Sequence, residues 1–466
     1  MRKYSGNTFF YCFLIIALSA CKAQETISQQ ELENLQKVIL SRSILVVQND
    51  STYLKNWQQL DTLIGQATII GLGESTHGTD ESCRLNCALI KTLVEKKHCT
   101  RICLEDNPGR ILQLNDYITG KTVGYDNFLA LTAINSRHLQ DLIEWVRTYN
   151  LENGKNVQFY GLNFYETSDL CQRVLENIQT LDTAYYPTAV KYYQELRNYL
   201  VPAGNVEHFQ RSPDSMSILQ KNALDVVSHL SLLAAKNRTQ DNGFKIDETL
   251  HYAEVILQSL SMPDLRTYTP NNWIIRTAKQ AGFNTAGYDY RVFDEYRDSC
   301  MFVNAQWAIE KNRDSNETTV IWAHNLHVGK RIEQSAIFRD SDRYKRLGLY
   351  LHDNYGKKYF VIGHGFYSGK FNAGYAKNIQ ADVPPQNALE NLISYMNLQC
   401  FLISTQDLAN AAPEWFHEKR TFRVVGTRQN TGREFTSTSM IPEEFDAFLF
   451  YQKSTPTKPA QIRIRR

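Results

Sequence analysis

The chain of 466 residues has no excess charge of either sign: Lys and Arg number 51 against 49 Asp and Glu, and without Arg2 and Lys3 of the leader described below the two totals are equal. Nucleic-acid binding normally shows a basic footprint, so that class of partner is not expected. Internal repeats and a long disordered tail are also missing. The one leading apolar run, Phe9 to Ala17, is too short to anchor the chain across a bilayer. Finally, there is no Gly-x-Ser-x-Gly elbow: Ser75 sits in Gly73-Glu74-Ser75-Thr76-His77, which argues against a nucleophilic serine hydrolase. What is present is bulk. With 42% apolar and 12% aromatic residues the chain can bury a large core, as one big domain with an insertion or as two domains.

The N-terminus reads as a secretory leader, with Met1-Arg2-Lys3, the apolar run, and then Leu18-Ser19-Ala20-Cys21. That ending resembles a lipoprotein cleavage site in which Cys21 becomes the acylated first residue. The expectation is a globular body tethered to a membrane through lipid on Cys21, in the periplasm or cell envelope. Of nine cysteines, seven remain beyond Cys12 and Cys21. Cys83 and Cys87 lie at helical spacing, and Cys99 and Cys103 flank the next apparent strand, so one disulfide is open. A zinc site from Cys83, Cys87, His98 and Cys99 is the alternative to thiols buried as small hydrophobes.

Periodicity sets the expected fold. Helical stretches near 29–47, 80–97, 108–117 and 138–150 alternate with short apolar strands at 67–72, 100–105 and 156–162, the pattern of a parallel sheet covered by helices. From about 168 to 280 the sequence turns to long helical stripes such as Leu219-Ala223-Val226-Val227-Leu230-Leu233. Strands return at 318–322, 359–362 and 447–451, and the stretch from Lys453 to Arg466 reads as a loose tail. The expected class is α/β, a mostly parallel central sheet flanked by helices with a large helical insertion or cap. The expected segments are a lipoprotein signal peptide at 1–20, a tether at 21–35, the first part of the core at 36–167, the cap at 168–280, the second part of the core at 281–459 and a tail at 460–466.

Polar residues recur where these strands end. Ile69-Ile70-Gly71-Leu72 runs into Gly73-Glu74-Ser75-Thr76-His77, Ile102-Cys103-Leu104 into Glu105, Phe159-Tyr160-Gly161-Leu162 into Asn163, and Val320-Ile321-Trp322-Ala323 into His324-Asn325-Leu326-His327. In a parallel sheet these gather along one edge, where α/β proteins hold ligands. A histidine near neutral pKa can take a proton from water, and a carboxylate beside it holds the tautomer and favours the imidazolium. A second histidine or an arginine can stabilise the oxyanion of an ester under attack. The bland reading of Glu74 and His77 is a polar turn that satisfies helix N-terminal donors; that of His324, His327 and His364, which follows another strand, is a core or loop histidine.

These segments, in order, resemble the erythromycin esterase family: Gly71 to Thr79, Leu104-Glu105, Phe159 to Leu162, and Trp322 to Gly329, joined by Arg297-Asp298 with Met301, Asn304 and Trp307, and by Phe445-Asp446-Ala447 to Pro456. The likeness runs from about Gln36 to Pro459. It implies an α/β core with helical additions that hydrolyses a small-molecule ester, in the best-known members a macrolactone, with no covalent intermediate and no required metal or cofactor. It implies His77 as general base, Glu74 and Glu105 as orienting carboxylates, His324 as a second catalytic histidine, and His327, Asn325 and Arg297 as substrate-binding residues. Where many members carry a basic residue, this chain has Asn86. Two rivals stay open: a metal-dependent hydrolase of the same fold, with Glu74, His77, His324 and His327 as ligands, and a non-enzymatic envelope lipoprotein binding an apolar ligand or haem through His77 and His324.

Overall fold

The computed structural model describes residues 27–45, 56–124, 134–165, 167–197, 213–237, 243–261, 290–311, 316–330, 334–335, 345–374, 376–396, 398–425, 434–435 and 437–460. The leader, Cys21 and residues 461–466 lie outside these.

The strands are β1 (Ile44–Leu45), β2 (Ile69–Leu72), β3 (Cys99–Leu104), β4 (Gln158–Gly161), β5 (Thr318–Trp322), β6 (Gln334–Ser335), β7 (Tyr359–Ala373), β8 (Ala376–Gln380), β9 (Cys400–Ser404), β10 (Arg420–Phe422), β11 (Ser437–Ser439) and β12 (Ala447–Ser454). The main sheet has the order β1-β9-β12-β7-β2-β5-β3-β4, with β8 paired to β7; β10, β11 and β6 form a small second sheet. From β12 to β4 every neighbouring pair is parallel, while β9 and β1 add an antiparallel edge. The fold is thus α/β with a mostly parallel central sheet flanked by helices. β9 is the piece that periodicity passed over: Phe401-Leu402-Ile403 is only a short apolar run, which periodicity alone cannot assign.

Alternation along the strands builds a core on each face. Ile70, Ile102, Val320 and Ile362 turn to one side, against Leu89, Leu93, Leu114 and Leu142 of the helices Asp80–Lys96, Pro108–Ile118 and Arg137–Asn153. Ile69, Cys103, Ile321 and Val361 turn to the other, against Leu35, Met301 and Leu351 of the helices Gln29–Arg42, Tyr290–Glu310 and Leu347–Tyr355. Local signals set the helix ends: Asp80 and Glu81 occupy a first turn where the dipole favours anions, Pro108 opens a helix, and Ser136 accepts from His138 N to cap another that stops at left-handed Gly154. The helices Ser168–Leu181, Tyr186–Arg197, Pro213–Asn237 and Gly243–Leu260 pack around a core of their own, which meets the α/β body at Leu112 and Cys300.

Two expectations need correction. β7 does not stop at Ile362; it continues beside β12, and His364 lies inside the strand opposite Leu449, fully buried with Nδ1 3.0 Å from Ser82 Oγ. Nor is the end of the chain loose as far as it is described. β12 runs to Ser454, and Thr455 N, Thr457 N and Ala460 N donate to Glu81 Oε2, Gly78 O and Asn135 Oδ1, so backbone groups of the tail are satisfied by the first motif, its helix and the residue before Ser136. The seven cysteines of the described residues are free, buried thiols, so no disulfide forms among them.

Candidate active site

Register assembles the site. Leu72 pairs with Trp322, Trp322 with Leu104, and Leu104 with Gly161, so four parallel strands end abreast. The residues that follow, Glu74, His324, Glu105 and Asn163, stand on neighbouring strands roughly 5 Å apart. The β2 turn is tightly held. A Cβ on Gly73 would meet Asn325 Oδ1 at 2.1 Å, and one on Gly78 would meet Asn372 O at 1.9 Å. Asn86 Nδ2 donates to Gly73 O (3.1 Å) and Asn325 N to Glu74 O (2.8 Å), so Asn86 is a fully buried support of the turn.

Glu74 is buried, and its Oε1 is 2.6 Å from His77 Nδ1. His77 Nε2 makes no hydrogen bond to any described residue. Burial alone would lower the pKa of this imidazole, but Glu74 and then Glu105 overcome it and raise the value to about 9. The pair is a carboxylate-oriented histidine with one nitrogen left for chemistry.

Beside it lies a charged network. Glu105 is buried, yet His327, Arg297 and His77 hold its carboxyl well below the usual range. Its Oε1 accepts from Arg297 Nη2 (2.7 Å) and its Oε2 from His324 N (2.9 Å). Arg297 also donates from Nε to Asn163 Oδ1 (2.9 Å) and from Nη1 to His327 Nε2 (2.8 Å). His327 Nδ1 faces Asp298 Oδ1 at 2.7 Å, and Asp298 is held in turn by Arg346 Nη1 (3.1 Å) and Leu347 N (3.0 Å).

His324 is used differently. Its Nδ1 accepts from Leu326 N (3.2 Å), and its Nε2 faces the carbonyls of Ser75 (3.0 Å) and Val425 (3.1 Å), so the ring is the neutral tautomer with the proton on Nε2. Burial and the neighbouring His77 push its pKa down to about 3. It meets His77 edge to face, with centroids 5.7 Å apart. Asn325, fully buried, spends its amide on the backbone of His364, donating to O (2.7 Å) and accepting from N (3.1 Å). Val425 stands two residues after Arg423, a buried arginine ion-paired with Glu434.

Of the residues singled out from sequence, Glu74, His77, Glu105, Asn163, Arg297 and His327 come together around one edge. His324 and Asn325 adjoin it with their polar atoms turned to backbone, and His364 lies in the core. Among the described residues no three His, Cys, Asp or Glu side chains group as metal ligands, and Cys83, Cys87, His98 and Cys99 are no exception. With both His324 nitrogens taken, that ring is not presented to a metal or a haem. Sequence reasoning gave no role to Arg346 or Asp298. Asp298 could be suspected only from its place next to Arg297, and nothing around Arg346 marks it.

A carboxylate-held histidine thus stands at the carboxyl edge of a mostly parallel sheet, where α/β proteins hold ligands. The chain belongs to the erythromycin esterase family, whose model matches residues 94–454. The fold is shared with a solved Bacillus cereus protein, 21% identical over 92% of this chain and 99% of that one, with a TM-score of 0.74. A succinoglycan biosynthesis protein gives 21%, 92%, 99% and 0.73, and a mutant of the erythromycin esterase EreC in its open conformation gives 16%, 87%, 95% and 0.62. Membership supports hydrolysis of ester bonds as the class of activity.

Proposed function

We propose that the protein hydrolyses a carboxylic ester of a small molecule with water activated by His77, and that macrolactones are the first substrates to try. The observation that carries this reading is the 2.6 Å Glu74 to His77 contact, which commits Nδ1 and leaves Nε2 without a described partner. Neutral His77 takes a proton through Nε2 as the water oxygen bonds to the ester carbon. The imidazolium, favoured by Glu74, returns that proton to the departing alkoxide, leaving an acid and an alcohol. A guanidinium has five N–H groups. Arg297 spends three on Asn163, His327 and Glu105, and the others serve the oxyanion. Ser75 is fully buried, which supports direct attack by water rather than a serine ester.

Mass-spectrometric detection of a substrate gaining one water, over a panel of macrolides and envelope esters with His77→Asn as the blank, tests the reading; a panel left intact would refute it. We further propose that lipid on Cys21 tethers the protein in the periplasm or cell envelope, on the strength of the Leu18-Ser19-Ala20-Cys21 ending of its leader. Incorporation of labelled palmitate that persists in Cys21→Ala would refute that part.

A further inference from the structure

We infer that Asp298 is a positioning residue that fixes the tautomer of His327 and, through it, the aim of Arg297. The inference deepens the esterase reading, and its kinetic arm rests on that reading. Asp298 is fully buried, and its two oxygens are occupied from three directions: Oδ1 by His327 Nδ1 (2.7 Å) and Leu347 N (3.0 Å), Oδ2 by Arg346 Nη1 (3.1 Å). A carboxylate between two cationic or N–H donors can only accept, so the His327 proton stands on Nδ1. Arginine can only donate, so its Nη1, 2.8 Å from His327 Nε2, requires that nitrogen to be bare. Both contacts specify the same neutral ring; Glu105 Oε1, which lies 3.4 Å from Nε2, is occupied at the shorter distance of 2.7 Å by Arg297 Nη2. Burial lowers the pKa of His327 while Asp298 and Glu105 outweigh it and favour a second proton, but that proton would set an N–H of His327 against an N–H of Arg297.

The consequence lies on the far side of Arg297. With Nη1 seated on His327 and Nε on Asn163, the guanidinium plane is fixed and Nη2 meets Glu105 Oε1 at 2.7 Å; the other oxygen of Glu105 holds the backbone of His324. A ring flipped to carry its proton on Nε2 would present a donor to Arg297, and the guanidinium would turn away from both Glu105 and the oxyanion position. Arg346 holds Asp298 from the side opposite to His327, so the chain Arg346, Asp298, His327, Arg297 and Glu105 is one line of charge-assisted hydrogen bonds running into the site.

The test is the 15N spectrum of histidine-labelled protein at pH 7.5, with the His327 signals identified by their loss in His327→Gln. The expected result for the unaltered protein is a protonated Nδ1 and a bare Nε2. A ring protonated on Nε2, alone or on both nitrogens, overturns the inference, and this arm needs no variant at Asp298. Asp298→Asn should then lose the single-tautomer signature and lower kcat about 10- to 100-fold, the range seen when the outer partner that orients a metal-ligating histidine is removed, with KM changed far less. If Asp298→Asn does not fold, Arg346→Gln removes the outer support and should act in the same direction by a smaller factor. An unchanged spectrum and unchanged kcat in the folded variant would also overturn it. Absence of ester turnover in the unaltered protein would instead refute the esterase reading, leaving the spectral result to decide the inference alone.

Discussion

Replacing Glu74 by Gln should change both the level and the shape of the pH profile, and the size of the change follows from the His77 pKa. A rise from 6.5 to about 9 corresponds to ~3 kcal/mol favouring the imidazolium. A unit charge pair near contact in a medium of effective dielectric ~20 interacts by about 4 kcal/mol; because burial and Arg297 oppose the rise, Glu74 at 2.6 Å supplies the largest attraction and Glu105 adds to it. General-base catalysis needs the neutral ring. With a pKa of about 9, on the order of one molecule in a hundred is competent at pH 7, and kcat/KM on an activated ester should climb tenfold per unit until it bends near 9. In Glu74→Gln, burial and the Arg297 charge pull the ring down with only the smaller Glu105 attraction opposing, so the bend should move by more than about two units, below the ordinary value of 6.5. The plateau should fall as well, because the imidazolium formed in the transition state has lost its partner. The loss is therefore larger at pH 9 than at pH 7. The same shift stabilises the fold: a histidine with a raised folded pKa contributes fully below the unfolded value of 6.5, and that contribution, at most ~3 kcal/mol, disappears as the pH rises through 9. A wild-type profile that is flat from pH 6 to 9, or a bend that stays in place in Glu74→Gln, would refute the reasoning.

Ser75→Ala should leave kcat/KM within roughly threefold and show no burst, because the buried hydroxyl is not a nucleophile; an acyl adduct on Ser75 in the intact mass spectrum would contradict this. Asn325→Ala should destabilise the fold by about 2–4 kcal/mol, read from the urea midpoint, since it strands the N–H and C=O of His364 in the core. Ending the chain at Ser454 should lower both Tm and activity, because Thr455 and Thr457 hold Glu81 and Gly78 beside the His77 turn; full activity in that variant would count against the docked tail.

The parallel sheet was legible because its strands carry short, buried, mostly apolar runs, as Val320-Ile321-Trp322 does behind the two threonines that open β5. Once neighbouring strands are known to be parallel, residues one or two beyond their ends must be adjacent, and so Glu74, Glu105, Asn163 and His324 could be grouped without coordinates. The length of β7 could not. Gly363, His364 and Gly365 look like a turn, yet pairing with β12 continues through them, and the fate of a strand past its partner's end depends on a neighbour about 85 residues away. Arg346 was invisible for the same reason: its function comes from Asp298, on another helix, and no local pattern encodes that meeting.

The histidines show most clearly what residue type leaves open. His77, His324, His327 and His364 all follow or lie in strands of one sheet, and sequence could rank them only by their neighbours. Their environments separate them by proton rather than by position. Glu74 and Glu105 raise His77 to about 9, whereas burial takes His324 and His364 down to about 3. His324 keeps one fixed proton and uses it to tie Ser75 to Val425, which makes it a brace for the turn that carries Glu74 and His77. A group that stays neutral throughout the range in which esters are hydrolysed, with both nitrogens on backbone, cannot shuttle protons without leaving those partners. Catalytic pairs are found where environments push pKa values apart, and on the proposed mechanism this divergence favours His77 for the proton transfer.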